Sequence, residues 1–528
     1  MAFVSYPLEV VKKTNKNIQS MKIKDNNFSP FDFWRQPIAF GLGPLIFLLI
    51  LLLPFPSLSP EAHKLAAIVL WVVVWWIGEP VPLPMTAILG VILCVLLGLA
   101  EIKTALAPFS DPVIFLFMGS FIIARSMTLH GLDHRLAFRV LSWKWVKTSP
   151  LRVLFMLGLV TAGLSMWISN TATTAMMYPL ALGLITMLQG KNQESTSSLN
   201  LPSTPFATAL LLMAAYASTV GGIGTPVGTP PNLIAIAMLN KLARIRLSFF
   251  QWMLFAVPLF ICMYLILFAF LFLLHKKGLK EIQRGLANIK TVESGSNSLR
   301  PWTRGEKNTL LVFLITVILW VTPGLILMIS GENSSLSQMV TSRIPEAVAA
   351  LIGALLLFLI PTDWRKGKMT MSWKEAVNID WGTLLLFGGG LSLGDLMFKT
   401  GLAEAVGQSL IKITGTNSVW LLTFMGIYVT ILLTETTSNT ASATMMVPVM
   451  ISIATASGFN PLPPALGSAF GASLAFMLPV STPPNAIVYG SGLIPITKMV
   501  RAGILISLSG GLIIWLILRL LLPAYGLA

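Results

Sequence analysis

An eleven-residue pattern occurs twice in this chain, each time inside a stretch that is otherwise apolar. Residues 169–179 read SNTATTAMMYP and residues 438–448 read SNTASATMMVP, with seven of eleven positions identical. A second pair follows in the same order: Thr229-Pro230-Pro231-Asn232 and Thr482-Pro483-Pro484-Asn485. Helix-breaking polar residues at membrane depth are costly, because freed backbone groups find no water there. Small polar residues packing between helices would account for one copy. Two matched pairs in matched order instead require two structural repeats whose interruptions meet at a shared, protein-lined place, as in carriers built from repeats.

The 528 residues are 55% hydrophobic and only 11% charged. Runs such as Ile38–Leu53, Leu254–Leu274, Leu310–Ile329 and Ile504–Leu522 approach or reach the roughly 20 residues that span a bilayer as a helix. The expected fold class is therefore an all-α integral membrane protein made of inverted repeats. A net charge of +16 could suggest nucleic acid. However, the basic residues flank apolar runs, as positive-inside topology requires, and no aromatic-interleaved basic face accompanies them. Nucleic acid is excluded as a partner, and membrane lipid is expected as one. Cys94 and Cys262 lie in apolar segments and read as structural thiols. No cofactor is expected. A nucleophile with a nearby base, or a His/Cys/Asp cluster at ligand spacing, is not found, so the chain does not read as an enzyme.

Residues 1–36 carry Lys12, Lys13, Lys16, Lys22 and Lys24 with no early apolar core, and read as a cytoplasmic tail at the cell membrane. The first repeat half is expected over 37–274. It has helices near 38–54, 64–78, 84–100 and 112–129, then a cationic amphipathic segment at 132–147. A helical hairpin at 149–188 carries the first Ser-Asn-Thr at its tip. A polar loop at 191–205 precedes a span at 206–240 that is broken at Gly221–Gly228, and a helix near 250–274 ends the half. The polar, basic stretch 275–307 reads as a cytoplasmic linker. The second half, 308–528, repeats the plan with helices near 308–330, 344–361 and 381–399, a hairpin at 418–456, a broken span at 464–495 and a helix near 502–523. Gly131-Leu132 matches Gly401-Leu402 at an offset of 270, close to that of the Ser-Asn-Thr copies. With the amino terminus inside, the basic clusters at 135–152, 276–307 and 365–374 fall inside, and the first hairpin enters from the cytoplasm and the second from outside.

At a hairpin tip, Ser and Thr hydroxyls, the Asn amide oxygen and freed carbonyls are hard oxygen ligands that suit Na+. The same tip starts a helix, whose N–H groups and partial positive charge of about half a unit attract an anion. Proline in Thr-Pro-Pro-Asn removes a backbone donor and stops a helix. Lys or Arg is not expected near either tip, the nearest in sequence being Arg152, Lys191, Lys412 and Lys498. An anion there would be balanced by bound cations and helix dipoles. Glu435, beside the second tip, corresponds to Met166 and reads as a hydrogen-bonding structural residue, with gating as the sharper alternative. Glu79, Asp111, Asp380 and Asp395 sit near span ends and read as interfacial. His130 and His134 have i,i+4 spacing, but Gly131 stands where a metalloprotease motif needs Glu.

Taken together, the paired Ser-Asn-Thr motifs, LTETTSNTASATMM and LPVSTPPNAIVYGSG resemble the divalent anion/sodium symporter family, which includes the sodium-coupled di- and tricarboxylate transporters. The resemblance covers roughly residues 40–525. It implies eleven transmembrane helices, two re-entrant hairpins, a homodimer and elevator-type transport. It also implies one sodium site at Ser165, Ser169, Asn170 and Gly228 and another at Thr434, Ser438, Asn439 and Ser481. Substrate carboxylates would meet Asn170, Thr171, Thr229, Asn439, Thr440, Thr482 and Pro483. Thr171 and Thr440 resemble carboxylate rather than sulfate carriers. Ser481 stands where similar proteins often have Gly or Ala, and Pro226 interrupts the first glycine loop. The expected activity is sodium-coupled import of C4-dicarboxylates such as succinate, malate and fumarate. A sodium-independent exchanger and a sulfate or tricarboxylate carrier of the same fold are the alternatives.

Overall fold

The computed structural model describes residues 30–56, 58–147, 149–188, 203–288, 301–331, 334–414 and 418–526. The expected tail up to residue 29, the loop at 191–202 and the linker centre at 289–300 lie outside the described residues. Almost everything described is helix. The exception is a two-stranded antiparallel ribbon, Pro361–Asp363 against Lys368–Met369.

The helices start and stop on local signals. Ser59, Asp111 and Thr204 each accept a hydrogen bond from a first-turn N–H, and each precedes a proline that can open a helix at no cost in donors. Gly131, at φ +72°, ends Pro112–His130 and turns the chain into the amphipathic Leu132–Leu141. Gly401, at φ +78°, makes the same turn between Trp381–Lys399 and Leu402–Thr414. Nothing lies within 4 Å of where a Cβ at Gly401 would stand, so the backbone angle selects glycine there, not lack of room.

From those turns onward the two halves run in parallel order. The first has a hairpin (Pro150–Ser165, Asn170–Leu188), a broken span (Pro205–Gly222, Pro230–Ala243) and the helix Phe249–Asn288. The second has a hairpin (Val419–Thr434, Asn439–Ala456), a broken span (Leu462–Ala472, Pro483–Tyr489) and the helix Ile496–Ala524. Pro205–Gly222 is buried on every face, as a helix that is apolar all round must be. Around it lie the fully buried Trp252, Phe255, Phe470 and Phe476. On the outside, Leu52, Met328, Ile329 and Leu432 are more than 65% exposed, which suits contact with lipid tails rather than water.

Among the described residues, eight helices are long and apolar enough to cross a membrane. A ninth appears if Ser335–Arg343 and Glu346–Leu359, bent by 52°, count as one span. The eleven implied by the resemblance are thus not all recognisable by length and composition. The leading hairpin arms have 16 residues each. That is about 24 Å of helix against a hydrocarbon thickness of about 30 Å.

Several expected boundaries shift. The first helix starts at Pro30, inside the expected tail, and the third ends at Leu96 rather than near 100. Helix Ser335–Arg343 occupies much of the connection left between the helices expected near 308–330 and 344–361. The helix expected to stop at 274 continues to Asn288, kinked at His275. Residues 276–288 are polar, but Lys, Leu, Glu, Gln and Arg are good helix formers, so loss of hydrophobicity does not end the helix there.

Candidate functional site

Each hairpin tip is held from within. At the first, Ser165 is the last residue of the leading arm and its hydroxyl donates to Asn170 Oδ1 at 2.8 Å. At the second, the Thr434 hydroxyl lies 2.9 Å from Asn439 Oδ1 and 2.6 Å from the Ala472 carbonyl. Ser169 and Ser438 cap the returning arms, accepting from the N–H of Ala172 at 3.3 Å and of Ala441 at 3.2 Å. The carboxamide oxygens are therefore oriented before any ligand arrives.

The breaks opposite the tips are organised just as regularly. Asn232, fully buried, donates through Nδ2 to the carbonyls of Gly222 (2.9 Å) and Thr225 (2.7 Å). Asn485, also fully buried, donates to the carbonyls of Ala475 (3.1 Å) and Leu478 (3.0 Å). All three residues correspond at an offset of 253. The asparagine of Thr-Pro-Pro-Asn thus serves the break behind it, supplying donors to carbonyls that the interrupted helix leaves open. A Cβ on Gly222 would fall 2.5 Å from Asn170 Oδ1, so this glycine lets the first break close against its tip.

Tip and break are also tied directly, by different chemistry in each half. In the first, the Thr225 hydroxyl donates to the Met166 carbonyl. In the second, the Glu435 carboxylate accepts from the backbone N–H groups of Phe476 (2.8 Å), Met477 (3.0 Å) and Leu478 (3.3 Å). Met166 corresponds to Glu435 and Thr225 to Leu478. The same two positions are joined, with the donor on the break in both halves; the side chain comes from the break in the first and from the tip in the second. Glu435 is 5% exposed, and three backbone donors occupy its carboxylate.

Both tips and both breaks open on one cavity of about 540 Å³. Its wall includes Ser169, Asn170, Thr171, Gly228 and Thr229 from the first half, and Ser438, Asn439, Thr440, Ser481, Thr482 and Pro483 from the second. Ser165 and Thr434 do not line it; they are buried behind the two asparagines they hold. The candidate ligands are uncharged hard oxygens, a donor set that suits a small alkali cation better than a soft transition metal. His130 does not face this chemistry: its Nε2 lies 2.7 Å from the Thr370 carbonyl.

Two charged residues join the wall unforeseen. Arg125, from Pro112–His130, lines the cavity, so the expectation that arginine stays away from the tips is wrong. Asp380, expected to be interfacial, lines it too, and its carboxylate accepts from the Thr383 N–H (3.0 Å) and hydroxyl (2.5 Å). Distance along the chain misled, because Arg125 comes from a helix preceding the hairpin. The available signal was a charge inside the apolar run Phe121–Met127.

Comparisons with known proteins agree with this architecture. The family described as "Sodium:sulfate symporter transmembrane region" matches residues 41–523. The chain is 34% identical over 493 residues to the sodium-dependent dicarboxylate transporter SdcS of Staphylococcus saprophyticus, covering 92% of each chain. It is 32% identical over 526 residues to the protein of the same name from Staphylococcus aureus strain USA300, covering 99% of this chain and 97% of that one. The crystal structure of the YdaH transporter of Alcanivorax borkumensis is similar in fold, with a TM-score of 0.54 at 15% identity, over 94% of this chain and 98% of that one. This multi-pass membrane protein is a transporter and not an enzyme, and it belongs to the sodium:sulfate symporter family, the divalent anion/sodium symporters that its paired motifs resemble.

Proposed function

We propose that the protein imports C4-dicarboxylates such as succinate, malate and fumarate, coupled to sodium, by elevator-type alternating access. The observation that carries this reading is the single cavity on which both Ser-Asn-Thr tips and both Thr-Pro-Pro helix starts converge. Uncharged oxygens suit sodium, and helix N-termini beside them suit a carboxylate. The relatives named as sodium-dependent dicarboxylate transporters support the choice of both ligands. In this proposal one sodium is held around Ser165, Ser169, Asn170 and Gly228, and the other around Thr434, Ser438, Asn439 and Ser481. The substrate meets Asn170, Thr171, Thr229, Asn439, Thr440, Thr482 and Pro483. The carrier works as a homodimer in the cell membrane with its amino terminus in the cytoplasm, and the hairpins enter the membrane from opposite faces.

The test is radiolabelled succinate uptake into proteoliposomes, under an inward sodium gradient and under an equal potassium gradient. Uptake that requires sodium is expected. Equal uptake in both, rising only when the lumen is preloaded with dicarboxylate, would make the protein an exchanger instead. No succinate uptake in either condition, with sulfate or citrate carried, would overturn the choice of substrate.

A further inference from the structure

The tips supply neutral donors, yet a dicarboxylate has two charged ends. Arg125 faces the cavity from Pro112–His130, where Ser120 and Thr128 line the same wall. Among the described residues it has no salt bridge. Its Nε is buried without a hydrogen-bond partner. The contrast with Arg135 is sharp: that guanidinium is buried, 2.8 Å from Glu306 and stacked 4.8 Å above Trp302. Asp380, the carboxylate that shares the cavity, is engaged by Thr383. A half-buried guanidinium left without an anion is unfavourable, and its planar fork matches a carboxylate through two parallel hydrogen bonds.

We propose that Arg125 binds the distal carboxylate of the transported dianion, while the proximal carboxylate sits at the Ser-Asn-Thr tips. This rests on the dicarboxylate reading above and adds to it a residue that selects dianions. Arg125 belongs to neither hairpin nor broken span, so the substrate bridges the tips and a wall outside them. The contact strengthens binding in the arrangement described here and is lost if the tips move away from that wall.

The experiment measures inhibition of labelled succinate uptake by succinate and by monomethyl succinate, in full-length reconstituted wild type, Arg125→Gln and Arg125→Lys at saturating sodium. In Arg125→Gln the inhibition constant for succinate should rise about 10-fold or more, as loss of a charge-assisted pair predicts. That for monomethyl succinate should stay within about 2-fold, since the ester has no second charge for the guanidinium to meet. Arg125→Lys should fall between, because it keeps the charge and loses the fork. Half-saturation by sodium should not move. Equal weakening of both inhibitors, or no change in either, would overturn the role of Arg125 while leaving the dicarboxylate reading intact. A wild type that takes up no dicarboxylate would overturn both. If Arg125→Gln fails to insert, the Arg125→Lys comparison decides alone.

Discussion

Asn170 and Asn439 each do two things with one carboxamide. The oxygen is held by the preceding arm, through Ser165 or Thr434, while the residue itself opens the returning helix on the cavity. Losing one such hydrogen bond costs about 1 kcal/mol, too little to unfold a protein with so extensive a core. We therefore expect Asn170→Ala and Asn439→Ala to insert and melt close to wild type while sodium-driven succinate uptake is lost. Wild-type uptake by either variant would remove that residue from the site. Thr171→Val and Thr440→Val should raise the succinate KM more than the half-saturating sodium concentration; the reverse order would show that the two ligands are wrongly divided. These residues could be read from sequence because they occur twice. Repetition does not find Arg125: its counterpart at the 270 offset is Asp395, of opposite charge, so only its place as a charge inside an apolar run marks it.

At the level of elements, helices start at Asn170, Pro230, Asn439 and Pro483, inside the Ser-Asn-Thr and Thr-Pro-Pro-Asn motifs, since proline and a capping hydroxyl act locally. The ties between tip and break were not legible, because they join positions about 40 to 60 residues apart. Glu435 holds three N–H groups with a carboxylate, whereas Thr225 holds one carbonyl with a hydroxyl. Hydrogen bonds to a charged group contribute about 1.5–3 kcal/mol and neutral ones about 1 kcal/mol. Glu435→Gln should therefore lower the melting temperature in detergent more than Thr225→Val does. Equal shifts would mean that the two halves are fastened with similar strength despite their different chemistry. The helix boundaries that failed did so for one reason: hydropathy reports where a helix leaves the apolar phase, not where its hydrogen-bond ladder ends.

Across the whole molecule, Pro230–Ala243 of the first half lies against Trp381–Lys399 of the second. Lys241 reaches Asp395 at 3.8 Å, and a Cβ on Gly394 would stand 3.6 Å from Met238 Sδ. If the site travels by elevator motion, these helices must slide past one another. A Met238→Cys, Gly394→Cys pair, in a background with Cys94 and Cys262 replaced, should lose uptake on oxidation and recover it on reduction. Full uptake by the cross-linked protein would rule out relative movement at this contact. Phe249–Asn288 packs on the second broken span, where Trp252 and Phe255 meet Phe470. Its apolar span Phe249–Lys276 has 28 residues and extends about 42 Å, more than the roughly 30 Å hydrocarbon thickness of a bilayer. It therefore reaches past the lipid tails near the kink at His275, while Trp252 and Phe255 hold its other end to the core around the cavity. That end is a pointer: a fluorophore on the exposed Lys276 would register the position of the buried site from the water, without touching the site.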